Sequence, residues 1–192
     1  MGTVTALPNA RSQPFWDDMG ASEHMVQIYG THGAFIAALE GFVASALRDG
    51  ESAIVIASAV HLHALEKRLR DAGHDVEAAR SEHRYQGLLA EEILGRVLVD
   101  RWPEERPFLE VIAELAARAR GEERRVRAFS EMSSVLWSRA DYAATIQLEL
   151  LWSKACDREK IPLFCAYSRK GFTRHGTESI VEICRLHARV VP

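Results

Sequence analysis

The sequence predicts a three-layer α/β domain in which helices cover both faces of a mostly parallel central sheet. Strand-like segments alternate along the chain with segments whose apolar residues recur at helical spacing. The interior of one strand, Ser52–Ser58, is apolar throughout and β-branched at its centre, which is typical of a parallel strand buried on both faces. A chain of 192 residues is long enough for one such domain with a sizeable core.

The first part of the chain predicts two strands, each followed by a helix. His24–Tyr29 reads as a strand, and apolar residues repeat at helical spacing over 35–47. This helix is expected to stop near Gly50, because glycine readily takes the left-handed conformation of a helix C-cap. After Ser52–Ser58, a second helix has an apolar face made of Leu62, Leu65 and Leu69.

The middle of the chain predicts shorter elements. Asp75–Ala79 and Tyr85–Leu89 read as strands, and a helical stretch follows from Glu91 to Val99. Pro107 suits the first turn of the next helix, since a first turn leaves its N–H groups unpaired, and Gly121 is expected to end that helix.

The last third continues the alternation. Arg125–Met132 and Ile161–Tyr167 read as strands. Between them lie a helical turn at Val135–Trp137 and a long helix whose candidate N-cap is Asp141. A final helix is predicted at Thr177–Ala188.

The turn after the first strand has the frame of a phosphate-binding loop without its essential residues. Gly30 and Gly33 stand between a strand and a helix, but they are too close together to form that loop. A working loop also needs a lysine for the terminal phosphates and a hydroxyl for magnesium. No lysine occurs between Met1 and Glu66, so we expect no nucleotide hydrolysis.

Composition limits the classes of function. Hydrophobic residues make up 47%, charged residues 27%, and the formal net charge is −3, which gives no general attraction to nucleic acid. The apolar runs are too short to span a membrane, and residues 1–20 contain no apolar signal segment. We therefore expect a cytoplasmic protein that contacts neither membrane nor nucleic acid. Residues 1–20 are predicted to be a flexible arm, and residues 21–192 one domain.

Cysteine and histidine spacing predicts no metal and no cofactor. The three cysteines do not form a disulfide or metal-ligand pattern. Cys165 lies in an apolar strand with no neighbouring base, which favours a buried, inert thiol over a nucleophile. His61 and His63 point to different faces of a helix, which argues against a shared metal. Cys184 and His187 are close enough to touch, but no further ligand is recognisable in sequence, so packing is the preferred role.

Five short segments occur in a characteristic order. They are Gly50-Glu51 before a strand, Val126–Met132 followed by Leu136-Trp137, Leu148-Glu149 with Trp152, Leu163–Tyr167, and Ile183-Cys184 with His187 and Val190. The first is similar to a feature of RecA-like and KaiC-like domains. Together the segments resemble the MEDS domain, named for methanogen and methylotroph proteins and the sensory part of the dichloromethane-responsive regulator DcmR. The resemblance runs from His24 to Pro192. The chain departs from the family pattern at three serines, Ser130, Ser153 and Ser168, where glycine, asparagine and proline are usual.

This resemblance implies a RecA-like fold and a function. It implies a non-enzymatic sensory or regulatory domain that binds a small, largely apolar organic ligand. The expected partner is a signalling protein, either a histidine kinase, an anti-sigma module or a transcription regulator, and self-association is a further way of passing on the signal. Two other interpretations stay open: a divergent nucleotide-binding protein, and a protein-interaction module without a ligand.

The candidate ligand-binding residues are those expected near the carboxyl ends of the strands, where open α/β sheets bind ligands. They are Tyr29, His32, Glu131, Trp137, Trp152 and Tyr167. A carboxylate at Glu131 would orient a polar group of the ligand or bind a cation. Alternatively it would form a structural hydrogen bond or ion pair, for instance with Arg127 or Arg139. The aromatic residues would line an apolar pocket, or they would belong to the core.

Overall fold

The computed structural model of the protein describes residues 16, 19–121, 123–171 and 177–191, with the backbone alone at 171 and 177–180. The strands are β1 (His24–Tyr29), β2 (Ser52–Ala57), β3 (Tyr85–Leu89), β4 (Leu98–Val99), β5 (Trp102–Pro103), β6 (Val126–Ser130), β7 (Leu163–Ser168) and β8 (Arg189–Val191). The helices are α1 (His32–Arg48), α2 (Ala59–Asp71), α3 (Val76–Ser81), α4 (Ala90–Val97), α5 (Glu105–Arg120), α6 (Met132–Ser138), α7 (Tyr142–Glu159) and α8 (Thr177–Leu186).

Six strands form one parallel sheet in the order β3-β2-β6-β7-β1-β8. Helices cover both of its faces, which confirms the predicted three-layer α/β class. Strand β7 lies between β1 and β6, so the carboxyl ends of these three strands are neighbours at one edge of the sheet. We refer to this edge as the carboxyl edge. Strands β4 and β5 form a small antiparallel pair outside the main sheet.

Two hydrophobic cores lie on opposite faces of the sheet. One contains buried residues of α1, α2 and α3, and the other contains buried residues of α4 to α8. Strand β2 contributes side chains to both cores, because alternate side chains of a strand point to opposite faces. Ala53 and Val55 belong to the first core, whereas Ile54 and Ile56 belong to the second. This double burial explains the uniformly apolar sequence of β2.

A buried arginine connects several segments at the amino end of the sheet. Arg127 on β6 pairs with Glu51, and its Nη1 donates hydrogen bonds to the Ser45 hydroxyl at 3.0 Å and to the Trp16 carbonyl at 2.9 Å. Trp16 is itself buried, with its ring centroid 5.0 Å from that of Phe164. The residue at position 16 is thus anchored to the domain. Most of the predicted arm, residues 1–15 and 17–18, lies outside the described residues.

The structure corrects the interpretation of Asp75–Ala79, which was expected to be a short strand. The Asp75 carboxylate accepts the backbone N–H of Ala78 at 2.9 Å and so caps helix α3. A single capping side chain outweighs weak strand propensity in so short a segment.

Two helix ends and the role of one expected cap also differ from expectation. The helix predicted over 91–99 ends at Val97, because the left-handed residues Asp100 and Arg101 turn the chain and pair β4 with β5. Helix α7 begins after Asp141 as predicted, but the Asp141 carboxylate binds Arg101 at 2.8 Å and makes no capping hydrogen bond. The final helix ends at Leu186, and β8 follows it. Sequence patterns did not predict this short strand, which pairs with β1 and ends the sheet among the described residues.

Candidate functional site

Glu131 lies directly after β6 at the carboxyl edge, as the sequence predicted. Its side chain is only 3% exposed. One carboxylate oxygen accepts the backbone N–H of Ser58 at 2.7 Å, and the other pairs with Nδ1 of His61. Both contacts come from the start of α2, since Ser58 is the N-cap of that helix. Glu131 therefore joins the end of β6 to the amino end of α2.

The ion-pair partners considered for Glu131 in the sequence are wrong. Arg127 lies at the opposite end of β6 and pairs with Glu51. Arg139 lies beyond α6 and pairs with Glu91. The partner of Glu131 is a histidine 70 positions away in the sequence.

A group of aromatic and imidazole rings extends from His61, the partner of Glu131. The His32 and His61 rings are stacked with centroids 5.0 Å apart, and the Phe35 ring meets His61 edge-on at 4.9 Å. Tyr29 stacks on Phe35 at 4.7 Å. His32 is exposed, His61 and Tyr29 are partly exposed, and Phe35 is buried. We call these four rings together with Glu131 the edge cluster.

The hydrogen-bonding character of the edge cluster follows from its contacts. Burial raises the pKa of the Tyr29 phenol, the charge of Glu131 raises that pKa further, and a hydrogen bond with Ser168 opposes the change. Tyr29 is therefore a hydrogen-bond donor at neutral pH. The Nδ1 atom of His61 donates to Glu131, so in neutral His61 the lone pair is on Nε2. The cluster combines a phenol donor, an imidazole acceptor and ring faces.

The turn before α1 is short. Gly30 and Thr31 alone join β1 to α1. The Thr31 hydroxyl accepts the backbone N–H of Ala34 at 3.2 Å and caps the helix. A phosphate-binding loop needs its backbone N–H groups turned towards the ligand, and here a side chain of the protein occupies one of them.

The other three predicted site residues lie on the opposite face of the sheet. Trp137, Trp152 and Tyr167 are all buried in the core formed with α4 to α8. Trp137 packs against Tyr142 at 4.6 Å, and Trp152 meets Phe108 edge-on at 5.0 Å. The structure thus brings Tyr29, His32 and Glu131 together but separates them from these three residues by the sheet. A role for the three in binding a ligand stays a prediction.

Tyr167 contacts a second group of polar side chains, which are buried between the sheet and helices α7 and α8. The group consists of His24 on β1, Glu149 on α7, Cys165 on β7 and His187 after α8, and we call it the interior cluster. One ligand-type atom from each residue lies within 4.8 Å of the others, and all four residues are buried. The Tyr167 hydroxyl donates a hydrogen bond to Glu149.

Burial and neighbouring groups shift the pKa values of three members of the interior cluster. Burial by itself would raise the pKa of Glu149, but His187, His24 and the Tyr167 hydroxyl together lower it to about 2. Burial lowers the pKa of His187 and raises that of the Cys165 thiol well above its usual value. These interactions hold the Glu149 carboxyl in its ionised form.

Sequence reasoning missed the interior cluster and the role of His61. Its prediction that Cys165 is buried is confirmed. The base that seemed to be lacking near Cys165 is His24, which lies 3.4 Å away but is contributed by another strand. The sequence held one indication of the interior cluster: Glu149 is a charged residue on the buried side of α7, beside Leu148 and Trp152.

A parallel sheet in this order, with helices on both faces, defines a RecA-like α/β domain. The family model for MEDS, the methanogen/methylotroph, DcmR sensory domain, matches residues 23–188. The chain therefore belongs to the MEDS family of sensory domains. No curated protein matches the chain. Among the helices in the described part of the chain, none is long and apolar enough to cross a membrane.

Proposed function

We propose that this sensory domain binds a small, largely apolar organic molecule at the edge cluster and passes the signal to a partner protein without catalysing a reaction. The observation that carries the proposal is the position of Glu131. A buried carboxylate at the carboxyl edge of the sheet is held by the first turn of α2 and lies next to partly exposed rings. Ligands of open α/β sheets bind at this edge.

The chemistry of the edge cluster favours one class of ligand. The faces of Tyr29 and His32 suit an apolar body, while the Tyr29 hydroxyl and His61 Nε2 suit one polar group. A triphosphate fits poorly, because the negative charge of Glu131 would repel it and the turn at Gly30 supplies no lysine. Small alcohols, amines and halogenated methanes have the required size and polarity.

The link between Glu131 and α2 suggests how binding is transmitted. A ligand that engages His61 competes with or strengthens its contact with Glu131. Either change shifts the position of the first turn of α2 relative to β6. Val60, in the same turn, is 70% exposed, which places an apolar side chain on the surface next to the proposed site. We propose that the amino end of α2 contributes to the surface recognised by the signalling partner.

The partner is proposed to be a histidine kinase, an anti-sigma module or a transcription regulator, with self-association as the other possible output. Differential affinity of the ligand for two positions of α2 is the minimum requirement for any such signal. Substituting Val60→Asp should weaken capture of the partner while leaving ligand binding intact. Loss of both activities together would place Val60 in the binding site instead.

The test of the proposed site compares two histidines on the same helix. His61→Ala should weaken binding of responsive small molecules at least tenfold, whereas the control variant His63→Ala, at an exposed position of α2, should bind like the unaltered protein. A panel of short alcohols, amines and halomethanes would be screened by thermal shift and titrated by calorimetry. Equal binding by both variants would show that the edge cluster is not the ligand-binding site.

A further inference from the structure

We infer that the interior cluster binds one divalent transition metal ion of the Zn²⁺ type, with His24, Glu149, Cys165 and His187 as its four ligands. This site is separate from the edge cluster and does not depend on the function proposed above. The inference follows from the direction of the lone pairs, from the spacing of the ligand atoms and from the hydrogen bonds that hold the ligands in place.

His187 presents a lone pair to the cluster. Its Nδ1 lies 2.6 Å from the Ile183 carbonyl oxygen, which can only accept, so the proton is on Nδ1. In the neutral ring Nε2 is then an acceptor. This atom is buried, has no hydrogen-bond partner among the described residues and lies 3.5 Å from a carboxylate oxygen of Glu149. Two acceptors thus face each other in the protein interior.

His24 is oriented in the same way. Its Nδ1 lies 3.2 Å from the Ser153 hydroxyl oxygen, and that hydroxyl donates its own proton to the Glu149 backbone carbonyl at 3.1 Å. The Ser153 oxygen is therefore the acceptor, and the His24 proton is on Nδ1. The His24 Nε2 lone pair faces Glu149 Oε2 at 3.2 Å and Cys165 Sγ at 3.4 Å.

The interior cluster consequently has too few protons for its acceptors. With each ring protonated on Nδ1, two imidazole lone pairs and the inner oxygen of Glu149 converge, and the thiol of Cys165 can donate a proton to only one of them. Buried polar atoms are rarely left without a partner, because an unpaired one loses its hydrogen bonds to water without replacement. A cation at the centre would satisfy all of these atoms at once.

Three of the separations between the ligand atoms are close to those of a tetrahedral site, and all of them lie within 4.8 Å. Zinc bonds of about 2.0–2.3 Å to nitrogen, oxygen and sulfur place neighbouring ligand atoms roughly 3.3–3.6 Å apart. Three of the observed separations are 3.2, 3.4 and 3.5 Å, and Cys165 Sγ is 3.9 Å from Glu149 Oε2. Parallel pairing of β1 with β7 puts His24 opposite Leu163, so Cys165, two residues further along on the same face, comes within 3.4 Å of the His24 ring. Helix α7 and the end of α8 bring the other two ligands.

A second layer of hydrogen bonds holds the ligands as it does in metal sites. Ser153 and the Ile183 carbonyl fix the two histidine tautomers, and the Tyr167 hydroxyl occupies the outer oxygen of Glu149. Glu149 is thereby left with Oε2 turned towards the histidines. Such outer partners typically set the orientation and basicity of metal ligands.

The donor set selects the class of metal. Two imidazoles, a thiolate and a carboxylate suit Zn²⁺, Fe²⁺ or Co²⁺, whereas Mg²⁺ and Ca²⁺ need oxygen ligands. Binding requires Cys165 to release its thiol proton to solvent. A divalent ion with one thiolate and one carboxylate is then electrically neutral, which suits a buried site. Four protein ligands complete a tetrahedron, so the site is closed, as in structural zinc sites.

The decisive experiment uses Zn²⁺ and Co²⁺ with the full chain. Protein purified without chelators is analysed for metal, stripped, and reloaded with Co²⁺ while absorption is recorded. We expect about one metal per chain and the intense visible bands and thiolate-to-cobalt charge-transfer band of tetrahedral cobalt bound to sulfur. Cys165→Ser should abolish the charge-transfer band. The control Cys184→Ser, which removes a half-buried thiol outside the cluster, should retain it.

A milder variant keeps the test valid if loss of a ligand prevents folding. Tyr167→Phe leaves all four ligands in place but removes the hydroxyl that bonds Glu149 and contacts Ser133, and it should lower metal affinity about 10–100-fold, the usual effect of losing such a partner. Metal uptake below stoichiometry by folded wild-type protein under saturating Zn²⁺ would overturn the inference. So would cobalt spectra that are identical in the wild type and in Cys165→Ser.

Discussion

The carboxylate of Glu131 accepts the backbone N–H of Ser58 at 2.7 Å, which joins the end of β6 to the N-cap of α2. The same carboxylate pairs with His61 one turn further along. Two segments more than 70 positions apart are thus connected by one buried side chain at the edge where open α/β sheets bind ligands. The predictions below separate the binding role of this arrangement from its contribution to stability.

Replacing Glu131 by glutamine should weaken ligand response while the protein stays folded. The amide oxygen can still accept from Ser58, but the amide N–H₂ cannot accept from His61, so one charge-assisted hydrogen bond is lost. We expect a loss of about 1–3 kcal/mol in the free energy of unfolding, together with at least tenfold weaker ligand binding. Chemical denaturation and calorimetric titration measure the two effects. Normal binding with large destabilisation would assign Glu131 to the scaffold.

Truncating Trp137 distinguishes core from binding site. Its side chain is buried against Tyr142 and Tyr167, on the face of the sheet opposite the edge cluster. Trp137→Ala should therefore lower the free energy of unfolding by about 3–5 kcal/mol. Thermal and urea melts provide the measurement. A variant of unchanged stability that no longer binds ligand would show that Trp137 is a ligand-binding residue.

The buried pair of Arg127 and Glu51 should be strongly coupled. Replacing Arg127 with methionine leaves a carboxylate buried without its main partner and should cost about 3–5 kcal/mol. Removing both charges, in Arg127→Met with Glu51→Leu, should recover much of that loss. The exposed pair Lys154 with Glu105 is the control, and its removal should change stability by about 0–1 kcal/mol. Additive effects at the buried pair would contradict this account.

We expect no turnover of ATP or GTP above background. The turn at Gly30 and Thr31 lacks the lysine and the length of a phosphate loop, so transferred phosphoryl groups would lose their main charge partner. A phosphate-release assay with magnesium measures this. Turnover that copurifies with the protein and disappears in Gly30→Asp would establish the divergent nucleotide-binding alternative.

Sequence patterns predicted the layers of the fold but only part of the candidate site. Periodicity is a local property, and it located β1, β2 and α1 with small errors at their ends. Glu131 was predictable because residues that follow parallel strands meet at one edge of the sheet. Its contact with His61 was not, since no local pattern shows which helix lies beside that edge. The placement of Tyr167 depends on which face of β7 it occupies, and a strand buried on both faces gives no alternation to reveal this.

The interior cluster shows the same limit more clearly. His24 and Glu149 are more than 120 positions apart, and only the pairing of β1 with β7 and the packing of α7 bring them within 3.2 Å. Metal sites recognisable in sequence have ligands at short, regular spacings. Ligands from four separate elements have no such spacing, so the expectation of no metal rested on a pattern that this arrangement does not use.

The most direct test of the proposed sensory site is histidine NMR during titration with a responsive small molecule. Imidazole resonances would be assigned with His→Gln variants and followed as ligand is added. The account predicts saturable shifts at His32 and His61, the stacked pair of the edge cluster, with His24 and His187 unchanged. Saturable shifts confined to His24 and His187, or none at His32 and His61 under conditions where calorimetry detects binding, would contradict it.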